Sequence, residues 1–157
     1  MTKVLAAVFA VMLVGAACNK QEEQVPASQQ YSDGTISIAG REISMELAID
    51  QEAQAKGLSG RPSIEENQGM LFQLNVPDFP SFWMKDMNFP IDIVWIKGNE
   101  VVDISAEVQN EPGVATQNLK TYAPKKPSDR VLELKAGWAA RNGLKIGDKI
   151  EILRVVR

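Results

Sequence analysis

The chain has 157 residues, 45% of them hydrophobic and 24% charged, with 11 glycines and 8 prolines, a globular composition that excludes a disordered, collagenous or multi-span membrane protein. It has no histidine, so a Ser-His-Asp triad, an imidazole base and a His-bound zinc are excluded as well. Its 17 basic against 20 acidic side chains leave a net charge of -3, without the cationic surplus that a general nucleic-acid binder uses to neutralise phosphates.

Residues 1–17 carry one early cation, Lys3, then an apolar run over residues 4–14 that ends in small residues, the layout of a secretory signal. Eleven residues are too few to cross a bilayer, which takes about 20. Directly after the run comes Cys18, the single cysteine, in the order Val14-Gly15-Ala16-Ala17-Cys18. This resembles a bacterial lipoprotein signal, in which the thiol is alkylated with diacylglycerol and the chain is cut before it. Gly15 departs from the large aliphatic that such signals carry three residues before the cysteine. The alternative is an ordinary signal peptide cut near Ala17, which would leave a free thiol in an oxidising compartment. With one cysteine no disulfide can form within the chain, and the fold must be held by its core.

Residues 18–34 then read as the lipidated cysteine and a flexible, Gln- and Ser-rich tether. Asn19 is not the aspartate that holds enteric lipoproteins at the inner membrane, so the expected address is the periplasmic face of the outer membrane, with the inner membrane as the alternative. The expected partner is a membrane reached through the lipid anchor.

Residues 35–157 are expected to form a single β-rich domain. Ile36 and Ile38 alternate with polar neighbours, Ala39-Gly40 supplies a turn, and Ile43, Met45 and Leu47 alternate again, which predicts a hairpin. Asp50 should cap a short helix over residues 51–56 that Gly57 stops. A polar loop opening at Arg61-Pro62 closes on the apolar cluster Gly69-Met70-Leu71-Phe72. Residues 91–96 and 101–108 form the clearest hairpin, its first arm apolar enough for burial on both faces. Residues 109–129 read as a long excursion with a short strand at most; a strand resumes at 131–134, a helical turn follows at 138–142, and a last strand runs over 149–155. The expectation is a mainly β fold, a compact sandwich or small barrel of six to eight short strands with one or two short helices.

Several blocks resemble, in order, those of domain-of-unknown-function family 192: Gly57-Leu58-Ser59-Gly60-Arg61, Gly69-Met70-Leu71-Phe72, the stretch Phe82-Trp83-Met84-Lys85-Asp86-Met87-Asn88-Phe89-Pro90-Ile91-Asp92, then Glu133-Leu134-Lys135-Ala136-Gly137 and Gly143-Leu144-Lys145-Ile146-Gly147-Asp148. Asp86 stands where asparagine is common in that family, and Ile91 where leucine is. The resemblance implies a compact, often exported β-rich fold and brings no established activity.

Residues 80–92 concentrate the chemistry. Were this segment extended throughout, Trp83, Lys85 and Met87 would share one face and Phe82, Met84 and Asp86 the other. The preferred function is an accessory binding module: Trp83 with Phe82 as a platform for an envelope glycan or peptide, and Arg61, Lys85, Asp86 and Asp92 as polar candidates around it. A carboxylate hydrolase would draw on Asp86, Asp92 and Glu133. A thioether site for Cu(I) would draw on Met70, Met84 and Met87. A pure scaffold is the remaining alternative. No cofactor is implied, since no glycine falls into a phosphate-cradling pattern.

Overall fold

The computed structural model describes residues 32–156. The signal residues, Cys18 and most of the tether lie outside them. Nine strands are described: β1 (Ser32–Ile38), β2 (Arg41–Ala48), β3 (Gln68–Asp78), β4 (Phe82–Trp83), β5 (Ile91–Lys97), β6 (Glu100–Val108), β7 (Thr121–Tyr122), β8 (Ser128–Lys135) and β9 (Ile150–Val155). The helices are α1 (Gln51–Lys56) and α2 (Trp138–Arg141). The first strand starts at Ser32, so the end of the expected tether is already strand, paired with β2 on one side and β9 on the other.

Seven strands form one sheet in the order β6-β5-β8-β3-β2-β1-β9, and β4 pairs with β7 as a separate ribbon. Every pairing in the large sheet is antiparallel except β2 with β3, which are joined through α1. The sheet curls until its two edges meet at one end, through the antiparallel bridge Glu100–Lys149. There the Val101 N–H donates to the Asp148 carbonyl at 2.9 Å and the Ile150 N–H to the Asn99 carbonyl at 2.9 Å. Contact at one end leaves an open curled sheet rather than a closed barrel.

Curling creates two cores. The inner one holds Ile36, Ile38, Ile43, Met45, Leu71, Val94, Leu132, Leu134 and Trp138. The outer one holds Met70, Phe72, Met84, Met87, Ile91, Ile93, Trp95 and Val131, with Ala53 of α1 and Leu58 just after it. Strand residues alternate between the two, Met70 and Phe72 outward with Leu71 inward, as a pleated strand requires. This double burial is why β3 and β5 lack polar alternation. Gly69 allows the close approach of β3 to β8: a Cβ there would lie 3.0 Å from Leu134 Cδ2 and 3.1 Å from the Glu133 carbonyl.

The predicted helix forms with its predicted cap, Asp50 Oδ1 accepting from the Ala53 N–H at 2.8 Å and Gly57 closing the C-terminus. The extended reading of residues 80–92 does not hold. After Trp83 the chain turns, the Met87 N–H donating to the Met84 carbonyl at 3.3 Å. Asp86 adopts φ 54°, a left-handed conformation that aspartate tolerates better than most residues.

Candidate functional site

One row of the outer face runs across four strands: Glu46 of β2 beside Met70 of β3, Met70 beside Glu133 of β8, and Glu133 beside Ile93 of β5. The strand period therefore aims the Glu133 side chain into the outer core, between two apolar neighbours. The residue is 6% exposed, and its Oε2 has no hydrogen-bond partner. Burial pushes its carboxyl up to about 8, with the Arg61 guanidinium pulling the other way. At pH 7 the group is therefore mostly the neutral acid, which carries one O–H donor besides its acceptor oxygens.

Glu133 lines a cavity of about 330 Å3, at the small end of the ~300–1,000 Å3 common for small-molecule sites. Helix α1 and the turn after it form one wall with Lys56, Leu58 and Ser59, while Phe72 and Leu74 come from β3 and Met87 from the turn of residues 84–87. Phe82 is fixed edge-on by two rings, 4.9 Å from Phe72 and 5.6 Å from Trp95 between centroids. Next to it, Trp83 lines the same cavity and is 48% exposed. A two-residue strand thus turns one aromatic inward as wall and leaves the next outward as rim.

The remaining candidates do not converge on this cavity. Asp92 is fully buried on the opposite face, where Oδ1 accepts from the backbone N–H groups of Glu107 at 2.7 Å and Gly137 at 2.9 Å, and Oδ2 from that of Ala139 at 2.8 Å. It ties the start of α2 to β5. Asp86 lines a separate groove with Lys85 and Glu111, and its carboxylate lies 3.6 Å from Lys85 at the surface. The three carboxylates therefore share no cleft, and the paired arrangement expected for glycoside hydrolysis is not formed.

Arg61 makes a two-pronged bond to Glu46, at 2.5 and 2.7 Å, and lines a different, polar groove with Arg154. Met70, Met84 and Met87 belong to the same core, because the turn folds both later methionines inward rather than to opposite faces. All three are buried in the outer core, where thioethers fill irregular space. Among the described residues no group of three or more Asp or Glu side chains is placed to hold a metal ion, and no helix is long and apolar enough to cross a membrane.

Sequence reasoning missed Phe72, Leu58 and Lys56 as cavity residues. Phe72 was visible only as part of an apolar cluster, and its role depends on the parallel pairing of β2 with β3.

An open, mostly β sheet with a cavity over its outer face defines the class of protein. Residues 34–152 match the family DUF192, described as an uncharacterized ACR, and the chain belongs to it. No curated protein matches the chain. Among solved structures, it is similar to a protein of unknown function from Novosphingobium aromaticivorans DSM 12444, with 32% identity, a TM-score of 0.65, and coverage of 76% of this chain and 83% of that one. It is also similar to a protein described as a candidate transcription regulator from Sinorhizobium meliloti 1021, with 26% identity, a TM-score of 0.65, and coverage of 78% of this chain and 92% of that one.

Proposed function

We propose that this protein is a binding module of the cell envelope, held at a membrane by acylated Cys18, with the Glu133 cavity as its ligand site. One observation carries the reading: Glu133, buried and without a hydrogen-bond partner at Oε2, lines a cavity whose rim bears the half-exposed Trp83. Buried polar groups are nearly always satisfied, and a carboxyl left unsatisfied in the wall of a cavity is a place where a ligand can supply a bond. Trp83 offers a flat surface for a sugar face or a peptide.

The test is retention of the full-length protein on purified cell-wall sacculi. Trp83→Ala should fold as the wild type does and lose at least tenfold in retention; undiminished retention would remove the reading. Mass spectrometry of the native product checks the anchor, which predicts a diacylglyceryl group on Cys18 at the new N-terminus.

A further inference from the structure

We propose that the group recognised at the Glu133 end of the cavity is an uncharged amide with a small apolar cap, the acetamido group of an N-acetylated amino sugar, whose carbonyl accepts a hydrogen bond from the Glu133 carboxylic acid. This deepens the binding-module reading and rests on it. The side chains around the carboxyl select for such a group. Met70 and Ile93 flank Glu133 in register, and Phe72, Leu58 and Met87 line the same space, so whatever bonds to the acid must bury apolar surface beside the bond. A methyl next to a carbonyl does both.

Charge excludes the competitors. The charged groups around Glu133 are Lys56 from α1, Arg61 from the following loop, and Glu46 from β2, which is ion-paired with Arg61. Strands β3 and β5 place the apolar Met70 and Ile93 directly beside it, and the 84–87 turn contributes Met84 and Met87 while pairing Lys85 with Asp86 at the surface. An ammonium would be desolvated in a cavity that Lys56 already lines, and an anionic ligand would meet a carboxyl that must stay neutral beside it. A neutral amide meets neither cost, and Trp83 at the mouth can lie against the sugar ring behind it.

The experiment is calorimetric titration of the full-length protein with the trimer of N-acetylglucosamine and with the fully deacetylated glucosamine trimer, between pH 6.5 and 9. The acetylated trimer should bind at pH 6.5 and bind roughly tenfold more weakly at pH 9, as the donor proton leaves a carboxyl titrating near 8. The deacetylated trimer should not bind. Glu133→Gln keeps an N–H donor and should bind the acetylated trimer equally at both ends of the range. Equal binding of the two trimers, preference for the deacetylated one, or a wild-type affinity independent of pH would each overturn the inference, and none of these readouts needs a variant. If neither trimer binds while sacculus retention still depends on Trp83, the acetamido assignment falls and the binding-module reading stands.

Discussion

Asp92 and Glu133 sit on the neighbouring strands β5 and β8, one residue out of register, and both are buried. The strand period sends them to opposite faces of the same sheet, into opposite circumstances. Asp92 receives three backbone N–H bonds, from Glu107, Gly137 and Ala139, so its desolvation is offset by donors that the fold holds in place. Glu133 receives no donor at Oε2 and lines a cavity. Burial alone thus distinguishes nothing. The partner count separates a carboxyl that builds the fold from one that the fold leaves available.

The largest expected effect comes from breaking the satisfied member. In Asp92→Asn one oxygen is replaced by an amide that itself donates, so at least one of the three backbone donors is left facing another donor in a dry interior. Stability should fall by about 3 kcal/mol or more, read as a lowered urea midpoint at unchanged m-value. A loss below about 1 kcal/mol would mean that α2 is held without Asp92, and the contrast with Glu133 would dissolve.

Substituting Glu133 should have the opposite sign. In the folded protein its carboxyl holds a proton up to about pH 8, whereas the unfolded chain releases it near 4.5. Between those values the folded state binds more protons, so stability falls as pH rises, by up to about 1.4 kcal/mol per unit, and levels off beyond either end. Glu133→Gln should abolish this component. The variant should be more stable than the wild type by about 2 kcal/mol at pH 6, the gain growing toward pH 8 and fading toward pH 4.5. Parallel melting curves for the two proteins across that range would show that Glu133 is already compensated in the folded state.

How far the sequence exposed this contrast depends on the range of the interactions involved. Local signals were legible: the Asp50 cap and Gly57 stop of α1, the turn at Ala39-Gly40, and the hairpin of β5 and β6 each arise from neighbours along the chain. Strand β3 was visible only as an apolar cluster, because residues buried on both faces show no alternation, and its parallel pairing with β2 spans the intervening helix. Asp92 and Glu133 both stood out as acids within apolar strands. Nothing local shows that one meets the backbone around α2 while the other meets none, since those donors lie 45 and 47 residues from Asp92 at Gly137 and Ala139. The methionines were misplaced for a related reason: a single left-handed residue, Asp86, reverses the chain between them.

That residue supplies the third carboxyl and the smallest expected effect. Asp86 differs from the other two in being solvated: its side chain is 70% exposed and lies 3.6 Å from a Lys85 that is itself 43% exposed. Water and salt screen such a pair, so Lys85→Ala should change stability by less than about 0.5 kcal/mol. The turn is held instead by backbone, with the Asp86 carbonyl accepting from the Gly60 N–H at 2.8 Å and the Lys85 carbonyl from the Ser59 hydroxyl at 2.7 Å. Since these bonds survive the substitution, Met84 and Met87 should stay seated against the outer core and Trp83 at the cavity rim. A thermal midpoint lowered by several degrees in Lys85→Ala would show that the surface pair closes the turn over the Glu133 cavity, and would move Asp86 from the solvated class into that of Asp92.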